Sequence, residues 1–244
     1  MSNPVLRESV FESYGTYNAP AVMTVEGAAT KTGFLLLLAG CSAAFSWSML
    51  LQNPAAAMPW VVGGGISGFI MAVITCFVPR WSGVTAPMYA LLKGLFLGGI
   101  SALYNTFYDG IVFQAICLTF GTLFTLLTAY RTGMIKVTQK FRLGVVAATG
   151  GIMLTYVVMF FMRMFMGGVP DIFSNGIFGI GFSVVIVIVA SLNLVLDFDA
   201  IDQGARYGAP KYVEWYCAFG LMVTLVWLYL EILRLLAILQ AGDD

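Results

Sequence analysis

Seven apolar segments, each close to the roughly 20 residues that a helix needs to cross hydrocarbon, govern what this chain can fold into. They fall at about 33–51, 57–78, 84–107, 110–130, 143–165, 174–198 and 215–239. Between them stand turn formers and chain breakers: Asn53-Pro54, Pro79, Tyr108-Asp109-Gly110, Arg131-Thr132-Gly133, Gly167-Gly168-Val169-Pro170 and Gly208-Ala209-Pro210. With 60% hydrophobic and only 10% charged residues, the chain cannot clothe a water-soluble surface. The reading is an all-α, polytopic membrane bundle: a polar tail over 1–28, a seven-helix domain over 29–240 and a short tail over 241–244.

Orientation follows from the basic residues, which are retained on the cytoplasmic side during insertion. With the N-terminus inside, the inner segments hold Arg7, Lys31, Arg80, Arg131, Lys136, Lys140, Arg142, Arg206 and Lys211, and the outer loops hold none. Lys93, Arg163 and Arg234 fall within or at the ends of helices, where long cationic side chains can snorkel. The expected topology is N-terminus in, C-terminus out. Residues 1–28 lack an apolar signal-peptide core, so the first apolar segment is expected to serve as an uncleaved anchor.

Several chemistries are excluded or disfavoured. The chain has no histidine, which removes His-ligated haem, His-based zinc sites and His general bases. Cys41, Cys76, Cys117 and Cys217 are scattered without CxxC spacing, so neither disulfides nor a metal cage is expected. Zero net charge and the absence of a basic run argue against nucleic acid as a partner. No GxGD lies inside a helix, and Gly242-Asp243-Asp244 is outside the membrane, which disfavours an intramembrane aspartyl protease. The chain is read as a non-enzyme whose first partner is the lipid bilayer.

Small residues mark close helix contacts in lipid. Gly94 and Gly98 form a GxxxG pair on the third segment; Gly63, Gly64, Gly65 and Gly68 lie on the second, and Gly176, Gly179 and Gly181 on the sixth. Packing is the expected role of all of them. Trp47, Trp60, Trp81, Trp215 and Trp227 are mostly at or near segment ends, where interfacial anchoring is the expected role.

An ionisable residue inside the bilayer costs roughly 2.5–3.5 kcal/mol on insertion scales, so each one is a functional candidate. Glu231 lies well inside the seventh segment, and Asp197, Asp199 and Asp202 lie at the inner end of the sixth. An ion pair with Arg234, three residues on, is the plain structural role for Glu231. A solvated helix end is the corresponding role for the three aspartates, preferred for Asp202. Hydropathy depth alone does not pair Asp197 with Glu231, because Glu231 lies about 22 Å into its run at 1.5 Å per residue whereas Asp197 closes its own.

The stretch Leu194-Val195-Leu196-Asp197 with Ile201, together with Leu228-Tyr229-Leu230-Glu231 and the Leu-rich C-terminal end, resembles the transmembrane BAX inhibitor motif family. Tyr89–Gly98 is similar to its third helix, and Gln114-Ala115 with Thr119 to its fourth. The resemblance covers about residues 22–240. It implies six helices around the seventh and a pH-sensitive calcium leak in a bacterial plasma (inner) membrane. Two acidic residues from helices six and seven would share a proton there and be latched by an arginine. Carried onto this sequence, the pair is Asp197 and Glu231, with Asp199 the alternative acid of helix six and Arg80 the latch by position. The same pair would be tentative Ca²⁺ ligands, Ca²⁺ being the transported ion rather than a resident cofactor. Lys93 stands where many bacterial relatives carry an acid and is a possible path-lining residue. A close carboxylate pair titrates as one unit, so protonation would act as a switch. The second expectation is a non-conducting interaction protein that modulates a membrane-anchored protease, with the 1–28 tail carrying the contact.

Overall fold

A computed structural model describes residues 22–166 and 176–241. Arg7, the 167–170 break, the terminal Gly242-Asp243-Asp244 and the side chain of Arg163 lie outside the described residues. The chain forms α1 (Val25–Gln52), α2 (Pro54–Phe77), a 3₁₀ turn (Pro79–Trp81), α3 (Ser82–Phe107), α4 (Ile111–Arg131), α5 (Gln139–Met166), α6 (Gly176–Arg206) and α7 (Val213–Ala241). All seven α-helices are long and apolar enough to span a membrane.

Local chemistry sets the boundaries. Thr24 caps α1 by accepting from Gly27 N–H at 3.0 Å, and Asn53 caps α2 by accepting from Ala56 N–H at 3.2 Å, with Pro54 preorganised in the first turn. The α4–α5 and α6–α7 connections turn on Gly133 and Gly208, whose φ values of 75° and 66° would strain a residue bearing a Cβ. α1 starts eight residues before the apolar segment at 33, because the cap at Thr24 and buried Ala28 and Thr32 continue the helix through polar sequence. α6 likewise runs on to Arg206, beyond the hydropathy boundary at 198.

α7 is the most buried spanning helix. It packs closely on α1, α3, α4 and α6, while α2 is carried mainly by α3 and α5 by α6. Four helices thus pack closely on α7, and α5 reaches it through Tyr156 and Ile152. The GxxxG pair of α3 seats α1: a Cβ on Gly98 would stand 2.1 Å from the Ala43 carbonyl oxygen, and one on Gly94 1.9 Å from Ser42 Oγ. Gly64 similarly admits Leu92 O, at 2.6 Å from a built Cβ. A Cβ on Gly181 would meet no atom of the described residues within 4 Å, so packing among them does not explain it. Trp227 is no interfacial anchor either; it packs in mid-helix with Ile152, Ile186 and Val189.

Candidate functional site: the polar seam of α5, α6 and α7

α5 presents Arg142, Thr149 and Tyr156 at intervals of seven residues, which keeps them on one helix face. Val145 and Ile152 alternate with them and are buried. Each polar member meets a polar partner at a different depth. Arg142 Nη2 binds Asp199 Oδ2 at 2.6 Å, and Thr149 Oγ1 accepts from Asn193 Nδ2 at 2.8 Å. The Tyr156 hydroxyl donates to Glu231 Oε1 and accepts from Arg234 Nη1 at 3.3 Å. A helix largely exposed on its other faces is thus held to the bundle by polar contacts at three levels.

Glu231 is 6% exposed, and its second oxygen, Oε2, is buried with no hydrogen-bond partner among the described residues. Asp197 Oδ2 is in the same condition. Thr224 of α7 lies beside Asp197, although its hydroxyl donates to Gly220 O at 3.3 Å, and Cys217 is within electrostatic reach of the same carboxylate. Cys217, Thr224 and Glu231 recur every seven residues, so Asp197 and Glu231 address one stripe of α7. They do so at different depths: the seven residues from Thr224 to Glu231 correspond to about 10 Å along the axis. The structure does not bring Asp197 and Glu231 into a carboxylate pair. A single Ca²⁺, which needs its oxygens at about 2.3–2.6 Å, could not be held by both. Among the described residues no three acidic or cysteine side chains converge as a metal cage.

Asp199 belongs to a separate cluster at the basic end of the bundle. Besides Arg142 it accepts from Gln203 Nε2 at 2.7 Å, and the Tyr130 hydroxyl lies 3.4 Å from both Asp199 and Asp202. Asp202 pairs with Arg206 at 2.8 Å, as befits a solvated helix end. Arg80 sits exposed in the 3₁₀ turn and has no ion pair with a described carboxylate. Its turn is tied to the start of α7 by Ser82 Oγ donating to Tyr212 O at 3.1 Å. From Tyr212 to Thr224, the neighbour of Asp197, is about 18 Å along α7, beyond the reach of an arginine side chain. No latch is made here. Lys93 lies with its ammonium 4.8 Å from the Phe96 ring centre and is paired with no described acid.

Two functional candidates were not evident from hydropathy. Tyr156 is signalled in the sequence only by its spacing from Thr149 and Arg142. The other is Glu214, fully buried at the start of α7. Its carboxylate accepts from Thr24 N–H at 2.9 Å and Thr24 Oγ1 at 3.1 Å, and pairs with Lys31. Lys211 Nζ stands 3.8 Å away, and Gly27 leaves room for the carboxylate, since a Cβ there would stand 2.3 Å from Oε1. The clamp extends into a strap: Met23 N–H donates to Ala209 O at 2.8 Å, and Val22 bridges Pro210. The start of α1 is thereby fastened to the α6–α7 connection.

The geometry joins seven spanning helices, buried carboxylates on the last two, and a polar seam reaching from the basic end to mid-bundle. No curated protein matches the chain. A family model described as Bax inhibitor 1 like matches residues 3–241, nearly the whole length. This integral membrane protein belongs to the Bax inhibitor 1-like family.

Proposed function

We propose that the protein is a proton-regulated cation leak, with Ca²⁺ the transported ion, and that Asp197 and Glu231 are its sensing carboxylates. The observation that carries the reading is the line of polar groups through otherwise apolar helices: Asp202, Asp199 and Arg142, then Asn193 and Thr149, then Tyr156, Glu231 and Arg234. Buried polar groups at mid-bilayer are costly, and in spanning proteins they mark ion and proton pathways. Ionised Glu231 accepts from Tyr156 and holds α5 against α7. Protonation removes the charge that strengthens this bond, which eases separation of α5 and wetting of the seam. Asp197 adds a second ionisation on the same stripe. Arg80 is retained as a latch only for a state in which its turn moves inward, and Lys93 as a cation beside the path.

The test is Ca²⁺ flux into liposomes bearing the purified protein, measured from neutral to acidic pH. A leak that rises on acidification supports the reading, and no flux at any pH overturns it. A second reading, a non-conducting partner of a membrane-anchored protease, is favoured by the strap at Met23 and Thr24, which couples the segment preceding α1 to the α6–α7 connection. Under that reading, deleting residues 1–21 abolishes co-purification with the protease, and liposomes bearing the intact protein show no Ca²⁺ flux at any pH.

A further inference from the structure

A cavity of about 460 Å³ lies between α1, α3, α4 and the inner face of α7. Met222, Leu225 and Val226 of α7 form its buried floor. Its mouth is formed by Gly40 and Ala44 of α1 and by Ile116 and Phe120 of α4, all exposed. α1 and α4 each pack on α7 but share no substantial interface of their own. The slit between them therefore opens sideways, at positions where spanning helices meet lipid tails.

The wall offers nothing to a polar guest. Among the described residues no charged side chain lines the cavity. Ser101 Oγ and the Tyr229 hydroxyl satisfy each other at 2.6 Å, and Thr119 Oγ1 donates to Ala115 O at 2.7 Å. A cation or a headgroup would shed its water here without replacement bonds, so the cavity is no part of an ion path. We propose that it binds one acyl chain of a membrane phospholipid, entering from the bilayer between α1 and α4. Size agrees: an apolar cavity of about 150 Å³ holds a benzene, so about 460 Å³ holds roughly three times its six carbons, one long chain. The acyl chain is also the material that reaches the mouth wherever the helix faces around it are in hydrocarbon. A bound chain would fill the space beside α7 and fix its packing against α1 and α4.

Trp47 lines the cavity and serves as the reporter. In the full-length protein with Trp60, Trp81, Trp215 and Trp227 replaced by Phe, in detergent, phosphatidylcholine brominated in mid-chain is expected to quench Trp47 saturably at one lipid per protein. Gly40→Leu should lose most of that quenching; a Cβ at Gly40 meets no atom within 4 Å, so the side chain can enter the mouth without backbone collision. Ala44→Val fills the same rim more conservatively and should reduce it too. Gly33→Leu, also without a neighbour within 4 Å but outside the cavity, should keep the quenching. Quenching that rises without saturation, or that survives both filling variants, overturns the proposal. Saturation by a brominated free fatty acid at lower concentration than by the phospholipid overturns the assigned source.

Discussion

The hydroxyl of Tyr156 on α5 stands between Glu231 and Arg234 of α7, donating to the carboxylate and accepting from the guanidinium. One aromatic side chain thus connects a peripheral helix to two charged groups of the central one. Tyr156→Phe leaves Glu231 Oε1 without this donor, while Oε2 has no hydrogen-bond partner among the described residues. A buried acceptor stripped of its partner costs about 1–3 kcal/mol. Unfolding in detergent should show that loss, and the penalty of Tyr156→Phe should shrink by about 0.5–3 kcal/mol in a Glu231→Leu background. Equal penalties in the two backgrounds would show that Tyr156 acts by packing alone.

Lys31 and Glu214 give a second measurable coupling. Removing one member of a buried ion pair costs about 3–5 kcal/mol, because the remaining charge stays desolvated. Lys31→Met should approach that loss, moderated by the two Thr24 bonds and by Lys211. Gly27→Ala should also destabilise, by pushing its Cβ into the Glu214 carboxylate. The Lys31→Met/Glu214→Leu double variant should recover part of the loss, measured by thermal unfolding.

The α1–α3 contact predicts a contrast between two glycines. Gly98→Ala drives a Cβ to 2.1 Å from the Ala43 carbonyl, which belongs to the backbone and cannot rotate away. Overpacking of this kind costs typically about 1–3 kcal/mol, or the helices separate. Gly181→Ala meets no atom of the described residues and should be neutral or slightly stabilising. Comparable effects at the two positions, in yield of folded protein and in unfolding temperature, would remove the α1–α3 packing argument.

The seven spans were legible because lipid imposes a length and polarity that composition reports directly. The GxxxG pair was legible because backbone approach needs missing side chains. Partners of buried charges were not, since hydropathy gives each residue a depth but no azimuth. Hydropathy alone leaves Glu214 outside the seventh span, whose apolar run begins at Trp215, yet Thr24 and Lys31 draw it fully inside. Family resemblance joins Asp197 and Glu231, while hydropathy depth sets them apart. In the structure they face one stripe of α7 about two turns apart.

Topology supplies a fourth prediction. Lys31, Arg80, Arg131, Lys136, Lys140, Arg142, Arg206 and Lys211 lie at or near one end of the seven-helix array, the end where α1 begins. A reporter inserted after residue 140 is expected to read cytoplasmic and one at the C-terminus external. A cytoplasmic C-terminus would mean that one of the seven helices does not cross.

The last prediction separates two independent carboxylates from one proton-sharing pair. With the native cysteines removed, cysteines at 197 and 224 should crosslink with a short reagent, as should cysteines at 156 and 231. Cysteines at 197 and 231 should not, because about 10 Å of helix lies between their levels. The same separation governs titration. In a shared-proton pair, Glu231→Gln would collapse the coupled titration and take most of the pH response of the leak with it. For two separate sites, Glu231→Gln and Asp197→Asn should each remove a part, and the double variant should remove the sum. Asp199→Asn, which touches only the half-exposed Arg142 pair and its neighbours, should cost under about 1 kcal/mol and leave the pH response in place. Measured flux that loses its whole pH dependence in either single variant, together with a 197–231 crosslink, would restore the pair and imply that the two carboxylates meet in another conformation.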